Sequence, residues 1–250
     1  MNSSIVSIIM AGGLGKRMSS TKSKVLHEVN GFPMIYHVIQ NALNVQCERI
    51  FIVVGKYKSD IVDAVRKLFS KEILDKIVYV NQTESILEGE LCSLGTGDAV
   101  RACLNEFDNY DFHPDTRVLI LSGDVPFVNT DELLEFSQRN NSIMVANVDD
   151  PTGYGRVFIN EYGNLSYITE HALCDEEQLR CTFVNAGIYN LSMRVLRETI
   201  PNIELNTRKM EFLLTDFYLF TDKPIHIFFT AGVPKNVNTM TDLLNVQLQN

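Results

Sequence analysis

The chain has 250 residues, 45% hydrophobic and 21% charged, with a formal net charge of −9. That suits one large globular domain, or two intimately packed ones, and argues against a nucleic-acid surface. Five cysteines at irregular spacing, with no C-x-x-C, exclude a cysteine metal site and point to thiols in a reducing, cytoplasmic setting.

The N-terminal stretch "MNSSIVSIIM" has no basic region and no cleavage motif, and it runs straight into glycines, so it reads as a first strand. No apolar run approaches the ~20 residues of a membrane span. Further β-branched runs predict strands at Arg49–Val54, Lys76–Val80 and Arg117–Ser122. Apolar residues at i, i+3, i+4 predict helices between them, at Met34–Val45, Lys58–Phe69 and Gly95–Phe107. Continuous apolar strands alternating with helices imply a doubly wound α/β fold with a parallel sheet covered on both faces.

The second half is richer in strands. "SIMVANVDD", "GRVFINEYGNLSYITEH" and "FVNAGIYNL" predict them, with "NEYGN" as a hairpin turn. Helical patterns return in "MRVLRETI" and "RKMEFLLTDFYLF", followed by a strand "IHIFF" and a short helix "TMTDLLNVQLQ". The expectation is a single domain over residues 1–250. Residues 1–140 form its Rossmann-like nucleotide-binding half, and 141–250 a smaller strand-rich half facing the second substrate.

The chemistry starts at Ile8–Met18, "IIMAGGLGKRM". A strand ending in glycines and cations is a loop suited to phosphate. Met10–Lys24 holds Lys16, Arg17, Lys22 and Lys24 and no acid, a basic stretch on an acidic protein. It is not a P-loop: residue 10 should be glycine and is Met10, and Arg17 follows the lysine where serine or threonine is needed. It is not a dinucleotide fingerprint either. Met18 replaces a small residue, and Gly55 stands where strand two should end in an acid.

"MAGGLGKRM…KSKVLHEVNGFPMIYHV" resembles the signature loop of sugar-nucleotide pyrophosphorylases. Within them the chain is most similar to the uridyltransferase domain of bacterial bifunctional N-acetylglucosamine-1-phosphate enzymes, over nearly its whole length. The resemblance implies a backbone cradle for UTP at Met10, Ala11, Gly12, Gly13 and Gly15, where amide N–H groups can approach phosphate oxygens. It implies Arg17 on the β- and γ-phosphate oxygens and Lys24 near the reacting phosphate, the two catalytic cations.

The same resemblance extends down the chain. "LGTG" supplies Gly95 and Thr96, which with Gln82 would read the uracil edge. "LSGDVP" supplies Ser122 and Gly123 as substrate contacts and Asp124 as a ligand to Mg²⁺, at the end of a strand where such folds place chemistry. Asn238, in "PKNVNTMTDL", would be the second Mg²⁺ ligand. Gly155, Glu170 and Asn185 would face the amino sugar. "MEFLLTD" resembles another block near the sugar. His171 and Asn238 favour N-acetylglucosamine, because glucose-1-phosphate branches carry lysine and aspartate there.

The implied reaction joins UTP and N-acetylglucosamine 1-phosphate into UDP-N-acetylglucosamine and pyrophosphate. The nucleophile is already an anion, so the lack of a Ser/His/Asp or Cys/His constellation is no obstacle. No nucleic-acid or membrane partner is expected. Another sugar phosphate or nucleoside triphosphate, or a non-catalytic sensor of nucleotide sugars, would also fit the loop.

Three departures stand out. Lys16 replaces the usual threonine, and Ser23 the usual proline. Gln82 and Gly95 are 95 − 82 = 13 positions apart, where the resemblance implies about five. The added "TESILEGELCS" is acidic and reads as a surface loop, with a partner surface or a lid as alternatives. The chain ends at Asn250 with no hexapeptide repeat, so no acetyltransferase activity is expected of it.

Overall fold

The computed structural model describes residues 4–15, 22–87, 90–232, 234–237, 239 and 241–243. Three predicted positions lie outside them: Lys16, Arg17 and Asn238. So does most of the predicted last helix.

The first half runs β1 (Ile5–Met10), a short pair β2 (Glu28–Val29) and β3 (Phe32–Pro33), α1 (Met34–Asn44), β4 (Arg49–Val54), α2 (Lys58–Leu68), α3 (Lys71–Leu74) and β5 (Ile77–Asn81). Then come β6 (Glu84–Leu87), β7 (Glu90–Ser93), α4 (Thr96–Phe107), β8 (Arg117–Ser122) and α5 (Thr130–Ser137). The second half adds β9 (Ser142–Asn147), β10 (Arg156–Ile159), β11 (Leu165–Thr169), β12 (Phe183–Ser192), α6 (Met193–Thr199), β13 (Leu205–Asn206), β14 (Glu211–Phe212) and β15 (His226–Thr230).

One mixed sheet has the order β11-β10-β12-β8-β1-β4-β5, with β9 pairing β12 and β15. β1 pairs parallel with β4 and β8, and β4 with β5. β12 is the seam: it runs antiparallel to β8, β9 and β10. The predicted α/β fold is therefore present, with a parallel first half and an antiparallel extension.

Both faces of the parallel half are buried, which explains its continuous apolar strands. Val6 and Ile8 of β1 face one core with Val100, Cys103 and Phe107 of α4. Ile5 and Ile9 face the other with Ile35, Val38 and Ile39 of α1. Each fully buried side chain of this size contributes about 1.5–3 kcal/mol. Among the described residues no helix is long and apolar enough to cross a membrane.

One expectation is corrected. "RKMEFLLTDFYLF" is not one helix: Glu211–Phe212 form β14, and Leu214–Phe220 a 3-10 helix. The Phe212 N–H donates to the Leu94 carbonyl (2.8 Å) and the Leu214 N–H to Thr96 Oγ1 (3.1 Å), so neighbours capture amides that a helix needs. The added segment after Gln82, expected as a surface loop, contains a hairpin. β6 and β7 pair antiparallel from Glu84↔Ser93 to Leu87↔Glu90, an ordered hairpin.

Candidate active site

A cleft of about 470 Å³ opens at the C-terminal ends of the parallel strands, where a doubly wound sheet leaves room for a ligand. Its wall is built from the glycine loop Met10–Gly15, Lys24, Gln82, Gly95 with Thr96, and Ser122 with Asp124. These residues span more than a hundred positions in sequence and meet because β8, β1, β4 and β5 lie in that order in one parallel sheet and end along the same edge.

Close backbone approach shapes this wall. The Ala11 N–H donates to Val53 O (2.9 Å), holding the loop on β4. A Cβ on Gly12 would sit 2.7 Å from Gln82 Oε1. At Gly123 it would meet Met10 O at 2.8 Å and Val25 Cγ1 at 2.9 Å, while the Gly123 N–H donates to that same Met10 carbonyl (2.9 Å). Gly123 does not itself line the cleft, but it locks the loop to the strand that carries Asp124.

Lys24 opens a 3-10 helix, Lys24–Leu26, whose Val25 and Leu26 are buried. Its Nζ forms an ion pair with Asp124 Oδ2. Ser23 is fully buried, and its carbonyl accepts from the Leu26 N–H (3.0 Å), fixing the turn without the usual proline. Asp124 stands in a tight turn (Val125 N–H to Ser122 O, 3.1 Å), and its own carbonyl accepts from the Val237 N–H (2.9 Å). The other carboxylate oxygen, Oδ1, is buried and has no hydrogen-bond partner among the described residues. A hard, half-satisfied carboxylate oxygen fits Mg²⁺, which takes one or two protein oxygens and fills its shell with phosphates and water. The described residues contain no group of three His, Cys, Asp or Glu side chains suited to a metal, so Asp124 would act without a protein cage.

At the other end of the cleft, Gln82 is buried and its Nε2 donates to Gly95 O (2.8 Å). Gly95 has φ +95°, and a Cβ there would strike Phe212 O at 2.7 Å. It precedes α4, whose Asp98 carboxyl is pushed up by burial, against the pull of its hydrogen bond with Gln82 and of Arg101.

Gly155, Glu170 and Asn185 gather beside the cleft rather than on its wall. The Asn185 N–H donates to Gly155 O (2.9 Å), and a Gly155 Cβ would lie 3.8 Å from Asn185 Cβ. Asn185 Nδ2 donates to the Tyr189 hydroxyl (2.6 Å), and Oδ1 accepts from the Gly187 N–H (3.0 Å). Glu170 holds Lys209 Nζ on Oε2 (3.0 Å) and the Thr215 hydroxyl on Oε1 (3.2 Å). Each of these polar groups keeps unused capacity for a ligand: an amide offers two donors and two lone pairs, a carboxylate about four acceptor sites. Next door, Arg156 is buried and one of its NH₂ groups lies 3.3 Å from His171 Nδ1. A guanidinium only donates, so Nδ1 accepts and the His171 proton sits on Nε2.

Six cleft residues escaped the sequence reading of the site: Leu14, Val25, Cys92, Ser93, Ala99 and Glu211. Glu211 was within reach through "MEFLLTD". Its carboxyl is raised by burial, with Lys209 pulling it down and Glu170 pushing it up. Asp216 is raised by burial and then by Glu170. Cys92 and Ser93 belong to the added hairpin and carried no signal.

A mixed α/β sheet whose strand ends present a glycine loop, a lysine–aspartate pair and a buried amide is the frame of a nucleotidyltransferase. The chain belongs to the Nucleotidyl transferase family, which it matches over residues 6–220. Among relatives, it is 32% identical over 237 residues to a mimivirus protein named "Probable UDP-N-acetylglucosamine pyrophosphorylase", covering 91% of this chain and 86% of that one. It is 35% identical over 221 residues to the Bifunctional protein GlmU of Picosynechococcus, covering 86% of this chain and 45% of the relative, so it spans about half the length of that two-activity protein. A Bacillus anthracis structure described as a glucose-1-phosphate thymidylyltransferase, in complex with sucrose, superposes with a TM-score of 0.76 at 21% identity, covering 98% of this chain and 95% of the other. That likeness concerns the fold. By its family, the chain is a nucleotidyltransferase.

Proposed function

We propose that this nucleotidyltransferase uses UTP and N-acetylglucosamine 1-phosphate to make UDP-N-acetylglucosamine and pyrophosphate. One observation carries the reading: a single cleft brings together a glycine backbone cradle, the Lys24–Asp124 pair with its unpartnered Oδ1, and the Gln82–Gly95 amide pair. The sugar choice is supported by the relatives' names and by His171 after Glu170.

An oxygen of the sugar phosphate attacks the α-phosphorus of UTP in line. A new P–O bond forms, the bond between the α-phosphorus and the bridging oxygen to the β-phosphate breaks, and pyrophosphate leaves with that electron pair. The nucleophile needs no deprotonation, so the protein's task is to align two anions and offset their charge. The glycine loop would hold the triphosphate through backbone N–H groups. Lys24 would turn from Asp124 toward the phosphates. Arg17 would hold the departing end. Asp124 and Asn238 would hold Mg²⁺, which when bound supplies positive charge against the reacting phosphates. Gln82 and Gly95 would read the base. Glu170 and Asn185, already oriented by Lys209, Thr215, Tyr189 and Gly187, would accept and donate to the amino sugar.

The decisive measurement is pyrophosphate release with Mg²⁺ across a panel of nucleoside triphosphates and sugar 1-phosphates. The pair UTP and N-acetylglucosamine 1-phosphate should give the highest kcat/KM. Release with a different pair would move the substrate assignment. No release with any pair would favour a sensor of nucleotide sugars.

A further inference from the structure

The hairpin β6–β7 leaves the C-terminal end of β5 and returns to the residue before α4, so both its ends are fixed at the rim of the cleft. We propose that it forms the outer wall of the nucleoside subsite, with Ser93 as a positioning residue that sets the Gly95 amide, the group that selects the base. This rests on the nucleotide reading of the cleft given above.

The root of the hairpin is built in. Glu84 Oε1 accepts from the Lys56 N–H at 2.6 Å, tying β6 to the segment after β4. A Cβ on Gly55 would fall 2.6 Å from that carboxylate oxygen and 3.3 Å from Gly12 O, so root, β4 end and glycine loop are in closest contact. Directly across from Glu84 stands Ser93. Both Cys92 and Ser93 then face the cleft alongside Gln82 and Gly95.

Gly95 is where the wall acts. Its carbonyl is taken by Gln82 Nε2, and its N–H donates to Ser93 Oγ at 3.4 Å. That second bond is at the long end of the range and is readily exchanged. A base carbonyl arriving at the Gly95 N–H replaces Ser93 Oγ, and the Ser93 hydroxyl keeps its own proton to donate to a second acceptor. A base that presents an amino group there meets a donor with a donor and is rejected. Ser93 thus holds in place, before binding, the Gly95 N–H that favours uracil over cytosine.

Two measurements test this. First, in Ser93→Ala the KM for UTP should rise about fivefold, with kcat and the KM for the sugar phosphate within twofold, and the kcat/KM preference for UTP over CTP should shrink. Second, alkylation of Cys92 by iodoacetamide, followed peptide by peptide by mass spectrometry, should slow at least fivefold with UTP and Mg²⁺ present. Cys174 and Cys181, whose thiols donate to sugar-side backbone carbonyls, serve as controls that should not change. If no pyrophosphate is released but some nucleoside triphosphate still shields Cys92, the wall stands and the proposed reaction falls. If pyrophosphate is released while no triphosphate shields Cys92 and Ser93→Ala leaves the UTP KM and the base preference unchanged, the wall is overturned. Shielding by the sugar phosphate alone overturns it too.

Discussion

The glycines of the two sides of the molecule differ in what surrounds them. On the side proposed for the nucleotide a Cβ at Gly12, Gly55, Gly95, Gly97 or Gly123 would come closer than 3.0 Å to another atom, and only Gly13 and Gly31 among its described glycines have nothing within 4 Å. On the sugar side Gly153, Gly163 and Gly187 have positive φ and nothing within 4 Å, and Gly155 has only ordinary contacts. The first set exists because chains must touch; the second because chains must turn. The end proposed for the nucleotide is thus pre-formed by backbone sterics, while the end proposed for the sugar is pre-formed by side-chain hydrogen bonds around Glu170 and Asn185. Damage to the first should be abrupt and general. Damage to the second should be graded and confined to one substrate.

The contrast breaks most visibly at two glycines of opposite kind. Gly123→Ala drives a methyl into Met10 O and Val25, so the loop and the Asp124 turn must part. Turnover should fall about 100-fold, as for other misplacements near 1 Å, and stability by about 1–3 kcal/mol. Gly155→Ala meets only contacts of 3.5 Å or more, and should keep turnover within about fivefold in the same pyrophosphate assay. Equal losses in the two would erase the distinction. Next in size, Asp124→Ala should lower kcat at least tenfold with partial recovery at high Mg²⁺, and should leave the sugar-phosphate KM little changed. Full activity at ordinary Mg²⁺ would remove Asp124 from the metal.

How much of this was readable in advance follows the same divide. β4 and β8 run from the first to the last predicted residue, because strands buried on both faces are continuous apolar runs. The glycine loop and "LSGDVP" were legible because a cradle and a carboxylate at a strand end have fixed spacing. Glu211 was harder: its block looked helical, and only the capture of the Phe212 and Leu214 amides by Leu94 and Thr96 makes it a strand and a 3-10 turn. Ser93 and Cys92 were illegible. Their place on the wall depends on hairpin register, and a shift of one residue would have exchanged the faces that the two present.

On the sugar side, Lys209→Met should raise the sugar-phosphate KM about threefold to tenfold and leave the UTP KM unchanged. Glu170 would lose the ammonium that orients Oε2 while keeping Thr215 on Oε1. The pair is part-buried, with each side chain about a quarter exposed, and a single ion pair that still reaches water contributes about 0–1 kcal/mol, so the melting temperature should move little. A parallel rise in both KM values would show that the two sides are mechanically one.

The smallest effect expected is in pH dependence, and it sits where the two sides meet. Glu211 lines the cleft yet feels Glu170, and burial holds its carboxyl above the ordinary 4.5. A carboxyl raised in the folded state binds more protons there than in the unfolded chain, so stability falls as pH rises from the ordinary carboxylate range through the raised value. The cost of the buried charge is then present above the raised value. Glu211→Gln removes it, and should raise the melting temperature by roughly 2 °C at pH 7.5. Below pH 4, where Glu211 is protonated in both states, the gain should vanish. Calorimetry across that interval separates the cases. A gain that persists at low pH would mean that Glu211 disturbs packing rather than charge, and that the border between the two sides is steric throughout.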